Sequence, residues 1–344
     1  MPGERKSSQD ILMEVYMNVA VLMPDDNTRR MFIPPEVLPG LESIGNVTWN
    51  KGAYTHEDIV PLLKSCDVCI TGWGCPELGE AFLKEADSLK LVAHTGGTVA
   101  YLVSDYMYDK GIKVISGNEV FAESVAEGTI AYIFAGLRRI PFCNKEVQSG
   151  KWGRSDNSGL LDKKVGLVGF GAVARYLVPM LKAFRVEIAV YDPFVSEETL
   201  SSYGVLKENS LETLFAENDI VSLHLAKRPE TDHLINGKLL SLMKDGTLFV
   251  NTARGMCVDE QALARELMTG RISAVLDVFQ TEPLPLDSKF RGLDNVILIP
   301  HLAGPTKDRQ KFVLPALVED MRRLMEGKPL KLEISREYAM KMTK

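Results

Sequence analysis

The sequence predicts an α/β protein built from two parallel-sheet layers. Short apolar runs alternate with amphipathic helical runs along nearly the whole chain. One apolar run, Lys164-Val165-Gly166-Leu167-Val168, passes directly into Gly169-Phe170-Gly171-Ala172-Val173-Ala174, and an amphipathic stretch follows from 176 to 184. Strand, glycine turn and helix in that order form the phosphate-binding unit of a dinucleotide fold. The apolar runs before residue 117 contain no such turn, so they belong to a different layer.

Composition sets the outer limits. The 344 residues suffice for about two domains with a substantial core. The chain is 45% hydrophobic and 25% charged with a net charge of −6, an ordinary globular balance. No basic stripe appears, so no nucleic-acid partner is expected. Five scattered cysteines, Cys66, Cys69, Cys75, Cys143 and Cys257, suggest reduced thiols and a cytoplasmic setting. Cys66 and Cys69 have the spacing of a redox or zinc pair, but Cys69 sits in a strand-like apolar run and no second pair accompanies it. We expect no metal site. No segment reads as long enough to span a membrane, and residues 1–10 read as a polar tail before a lead-in and first strand.

Taken in order, strands are expected at 18–24, 47–49, 67–71, 89–93 and 111–115. Thr55 is placed to cap a helix. Residues 123–138 are apolar-periodic and read as a linking helix, followed by a polar, glycine-rich arm at 149–159. The second layer has strands near 165, 188, 220–225, 247–251, 274–278 and 296–299. A last helix, 308–325, is stopped by Gly327 and Pro329 and returns to the first domain, which is then discontinuous.

Ligands of doubly wound sheets lie at the carboxyl ends of the strands. Gly169 permits the sharp turn, Gly171 lets a pyrophosphate approach, and Ala174 lets the helix lie close to its strand. Asp192, 23 residues beyond Gly169, ends the next strand and suits the adenosine ribose hydroxyls. Pro193 and Phe194 follow it with no arginine to neutralise a 2′-phosphate, which favours NAD over NADP. Three further strands end near Arg254, Glu282 and His301. Arg254 offers a planar fork to a carboxylate and carbonyl. His301 suits proton transfer at the reacting oxygen, and Glu282 suits holding its imidazole. Asp277 is placed to accept from a nicotinamide carboxamide.

With these residues in view, the sequence resembles the D-isomer-specific 2-hydroxyacid dehydrogenase family from about 111 to 309. The matching segments include Ser124-Val125-Ala126-Glu127, the glycine turn, Tyr191-Asp192-Pro193, residues 219–225, 251–255 and 277–283, and Pro300-His301. The resemblance implies two α/β domains with a cleft between them. One is a flavodoxin-like substrate domain, 1–117 with 302–344; the other is a Rossmann NAD-binding domain, 118–301. It implies Arg254, Glu282 and His301 as the catalytic set. It also implies Ala172, Val173, Asp192, His224, Thr252, Ala253 and Asp277 as NAD contacts beside Gly169 and Gly171, a small 2-oxo or 2-hydroxy acid as substrate, and a homodimer.

Departures fall on the substrate side. The family often has Ala-Gly-x-Gly-x-Asp in its carboxylate loop. This chain has Thr95-Gly96-Gly97-Thr98-Val99-Ala100, leaving Gly96 and Gly97 as the expected substrate donors. Phe121 replaces a common Asn or Ser, and Ala226 a common Pro. Thr71-Gly72-Trp73-Gly74 supplies no arginine for a phosphorylated substrate, and Trp73 with Phe121 suggests an apolar wall. The competing function is an NAD(H)-sensing regulator or scaffold of the same fold.

Overall fold

The computed structural model describes residues 16–152 and 156–343. The tail expected at 1–10, the start of the lead-in and residues 153–155 of the arm lie outside the described residues. By contacts the chain divides into two compact units. One holds the chain up to Thr95 with Leu102–Ile115 and Leu314–Ile334; the other holds Gly96–Tyr101, Ser116–Val313 and Ser335–Lys344.

The first unit carries a five-stranded sheet of β1 Met17–Val21, β2 Gly45–Trp49, β3 Val68–Thr71, β4 Leu91–His94 and β5 Lys113–Ser116. Its order is β2-β1-β3-β4-β5. Both β3 and β4 are buried at every position, as strands covered on both faces must be. That explains Cys69: it is a core residue, and burial pushes its thiol well up. Thr55 caps the helix His56–Ser65 as expected, accepting from the Asp58 N–H at 3.2 Å.

The second unit carries seven strands: β6 Lys164–Val168, β7 Glu187–Tyr191, β8 Leu206–Lys207, β9 Ile220–Leu223, β10 Leu248–Asn251, β11 Ser273–Leu276 and β12 Val296–Leu298. They pair in the order β12-β11-β10-β9-β6-β7-β8, every pair parallel. The chain winds outward one way from β6 and then the other way from β9. The switch point therefore lies between β6 and β9, beside the glycine turn.

The linking helix spans Asn118–Leu137, starting earlier than 123 because Gly117 caps it rather than breaking the chain. At 20 residues it is long and apolar enough to cross a membrane, contrary to the expectation that no segment is. It lies instead against the helix Ala172–Lys182, β10 and β11, with Ala126, Ile133 and Leu137 in the core. A side chain at Gly136 would come within 2.7 Å of a Leu248 methyl, so Leu248 would have to shift to admit one.

The expected boundaries also move. The chain crosses between units at 115/116 and 313/314 rather than at 117/118 and 301/302, and Gly96–Tyr101 and the C-terminal segment join the second unit. Hydrogen bonds explain the loop's grouping: Ser116 Oγ donates to Gly97 O at 2.9 Å and the Gly117 N–H to Gly96 O at 3.0 Å.

Candidate active site

The glycine turn follows β6. Gly169 has φ +96°, and a Cβ there would stand 2.7 Å from the His224 carbonyl oxygen, so both backbone and space demand glycine. Gly171 differs. Its backbone is extended, and a Cβ would point into open space. Glycine there keeps room in front of the helix Ala172–Lys182. That helix has no side-chain cap and no acidic residue in its first turn, so its first N–H groups and the positive end of its dipole are available to an anion. Gly171 and Ala172 line a cavity of about 510 Å³ together with Arg175, Tyr176, Tyr203 and Tyr338. Ala174 is fully buried, as close helix–strand packing requires.

Asp192 sits at the same turn. Its Oδ2 accepts from the Phe170 N–H at 2.8 Å and its Oδ1 from the Phe194 N–H at 2.9 Å. His224 ends β9, with Nε2 3.0 Å from Ser222 Oγ, and burial pushes it down to about 4, so it is neutral at pH 7.

After β10, Asn251 shapes the turn: its Oδ1 accepts from the Ala253 N–H at 3.0 Å and its Nδ2 donates to Arg254 O at 3.2 Å. Thr252 Oγ1 lies 3.1 Å from Thr129 Oγ1 on the linking helix. Arg254 donates to Ala253 O at 2.6 Å, and burial lowers its guanidinium from the usual range. Gly255 fits because a Cβ would collide with the Phe279 and Gln280 backbone at 1.9–2.3 Å. This tight contact joins the Arg254 turn to the loop that carries Glu282.

His301 and Glu282 meet directly: Nδ1 and Oε2 are 2.8 Å apart, and Glu282 Oε1 accepts from the Phe279 N–H at 3.0 Å. Burial pushes Glu282 upward. The His301 hydrogen bond, the Phe279 N–H and the charges of His301 and Arg254 outweigh it and hold the carboxyl below its usual value. Both side chains remain partly exposed.

Asp277 also has partners within the chain. It is buried, and Oδ1 accepts from the Leu302 N–H at 2.8 Å, the Ala303 N–H at 3.2 Å and Tyr132 Oη at 3.2 Å. Its carbonyl takes the His301 N–H at 2.8 Å. These bonds run to the chain, so Asp277 shapes the His301 loop. Tyr132 is a residue that sequence reasoning missed, since nothing local marks a partner 145 positions away.

The expected nucleotide residues thus follow the carboxyl edge strand by strand: Asp192 after β7, Gly169 to Val173 after β6, His224 after β9, Thr252 to Arg254 after β10, Asp277 and Glu282 after β11, His301 after β12. Four strand spacings, about 19 Å, separate β7 from β11. Gly96 and Gly97 belong to this same unit, with the Phe121 ring 3.6 Å from where a Gly97 Cβ would stand. Trp73 belongs to the other unit, where it packs edge-on against Phe32 at 5.1 Å. Among the described residues no group of His, Cys, Asp and Glu is arranged to hold a metal ion.

A doubly wound α/β unit with a glycine turn, an Asp at the end of the next strand and an Arg, Glu and His along one edge defines a dinucleotide-binding protein. Residues 130–303 match the sequence profile described as the D-isomer specific 2-hydroxyacid dehydrogenase NAD binding domain. The chain is 32% identical over 290 residues to a D-3-phosphoglycerate dehydrogenase of Methanocaldococcus jannaschii, covering 83% of this chain and 55% of that one. It is 34% identical over 269 residues to a hydroxypyruvate reductase of Thermotoga maritima, covering 76% and 86% respectively. A solved phosphoglycerate oxidoreductase from Rhizobium etli superposes with a TM-score of 0.81 at 25% identity, covering 93% of this chain and 99% of that chain. The chain belongs to the D-isomer specific 2-hydroxyacid dehydrogenase family. It spans about half the length of the phosphoglycerate dehydrogenases it matches.

Proposed function

We propose that this protein transfers a hydride between NAD(H) and a small, unphosphorylated 2-oxo acid or D-2-hydroxy acid. The 2.8 Å His301–Glu282 contact, on the sheet edge that carries Arg254 and the glycine turn, is the observation that supports it. The dinucleotide, when bound, supplies or takes up the hydride. Gly169, the uncapped N–H groups at Ala172 and Val173, and Asp192 would hold it, and the carboxylate of Asp192 disfavours a 2′-phosphate. Arg254 orients the substrate carboxylate and carbonyl. As negative charge develops on the carbonyl oxygen, His301 gives it a proton from Nε2, while Glu282 keeps the ring oriented through Nδ1. In the other direction His301 removes the hydroxyl proton. Gly96 and Gly97 are the candidate carboxylate donors, and the lack of an arginine at Thr71–Gly74 supports an unphosphorylated substrate.

The competing reading, a nucleotide-sensing regulator, draws on Thr98 and Ala100 in the carboxylate loop. A panel of 2-oxo acids with NADH separates the two readings. Oxidation of NADH with glyoxylate, hydroxypyruvate, pyruvate or a bulkier acid is expected; NADH binding without turnover on the whole panel would favour the sensor. We further propose a homodimer and a cytoplasmic setting. The helix Ile140–Gln148 has no buried residue and Trp152 beside it is 92% exposed, which supports a partner surface on the coenzyme unit. The five free cysteines, four of them buried, suit a reducing compartment.

A further inference from the structure

We propose that the C-terminal segment, residues 335–343, is a latch that lies across the dinucleotide site and must swing aside for the cofactor to enter; the proposal rests on the cofactor reading above. The segment is fixed at two places. Its short helix, Arg336–Lys341, starts at Ser335, whose Oγ accepts from the Tyr338 N–H at 3.1 Å. Tyr338 accepts from Asn118 Nδ2 at 3.4 Å and, with Glu119, lines the cavity that Gly171 and Ala172 also line, at the start of the helix that would receive a pyrophosphate. At the other end, Thr343 Oγ1 accepts from the Lys227 N–H at 3.1 Å, and its carbonyl accepts from Thr98 Oγ1 at 2.5 Å.

These anchors straddle the switch point. Gly171 follows β6, and Lys227 lies three residues past His224 at the end of β9, the neighbouring strand. A segment that shares a cavity with Gly171 at one end and is tied to Lys227 at the other runs past the carboxyl ends of β6 and β9, where a dinucleotide must lie. The third tie explains a sequence departure. Thr98 stands where the family loop often has glycine, and its hydroxyl is the donor to the tail. Glycine has no such donor. The altered loop and the docked tail are therefore one feature.

The ties suit a releasable device. The helix has six residues, too few to be stable alone, and Met340 faces solvent, while Ala339 and Met342 are buried. Each hydrogen bond is individually weak, so the segment belongs to the low-stability end of the fold. A closed latch lowers apparent cofactor affinity by the fraction of molecules that are open.

The test uses the full chain. Thr98→Val removes one donor at nearly constant volume, and Thr343→Ala removes the acceptor for Lys227. NADH dissociation constants are measured by fluorescence titration, and hydrogen exchange of 335–343 is followed in the unaltered protein with and without saturating NADH. Each variant is expected to bind NADH about 2- to 10-fold more tightly, the range set by losing one neutral hydrogen bond. NADH is expected to speed exchange in the tail. Equal NADH affinity in all three proteins overturns the latch alone. Slower tail exchange with NADH overturns it too, because the tail would then be part of the bound site. No NADH binding by any of them overturns the latch together with the cofactor reading.

Discussion

His301 has a left-handed backbone, φ +54°, which histidine adopts only when its surroundings impose it. The buried Asp277 imposes it, taking the His301, Leu302 and Ala303 N–H groups. The ring is thereby aimed at Glu282, the pair to which the proposed mechanism assigns proton transfer. His301→Ala is expected to lower kcat by about 10²–10⁴ while leaving NADH binding in place. Steady-state rates and an NADH titration on the same variant check this, and a wild-type kcat would remove His301 from the mechanism. Arg254, Glu282 and His301 were legible in the sequence because each follows an apolar run that had to be a strand. The work of Asp277 was not, because its partners arrive from the linking helix and from the next loop, and no local pattern announces them.

Between single residues and the whole chain, the active edge depends on which glycines are structural. Gly255 presses the Arg254 turn onto the Phe279–Gln280 backbone, whereas Gly171 faces open space. The two should therefore respond differently to alanine. Gly255→Ala is expected to cost on the order of 1–3 kcal/mol of stability and to cut kcat, since the loops carrying Arg254 and Glu282 must part. Gly171→Ala is expected to cost at most about 1 kcal/mol, as a poorer helix cap, yet to weaken NADH binding clearly. Denaturant midpoints and NADH titrations on both variants decide it; unchanged NADH affinity in Gly171→Ala would mean that no phosphate approaches there. Every strand but β8 could be read beforehand, because buried parallel strands are nearly continuous apolar runs. The edge strand β8, two residues long with Leu206 exposed, has too little pattern to be read. The helix Arg336–Lys341 was invisible for a related reason: it is short and polar, and its hold on Thr98, Lys227 and Asn118 comes only from the folded chain.

Across the whole molecule, each unit holds a neutral histidine at the carboxyl end of a strand, His94 buried and His224 half-buried. In the first unit His94, fully buried with Nδ1 2.9 Å from Thr71 Oγ1, is pushed by burial from 6.5 down to about 3. In the second, His224 is pushed by burial down to about 4. Both lowered values act on stability with the same sign. Above 6.5 neither state binds the proton, so the folded protein keeps its full stability. Below 6.5 the unfolded chain takes up protons that the folded chain refuses until about 3 or 4, so stability falls with pH across that window. For His94 the slope is about 1.4 kcal/mol per pH unit, and His224 adds in the same direction. Denaturant midpoints are therefore expected to be flat from pH 8 to 7 and to fall steadily from about pH 6 to 4. His94→Gln should lower stability at pH 7 but flatten that fall in the first unit, because the group that distinguishes the two states is gone. Midpoints in the unaltered protein that stay constant down to pH 4.5 would mean that these histidines take up protons while folded, and that the strand ends holding them are open to water.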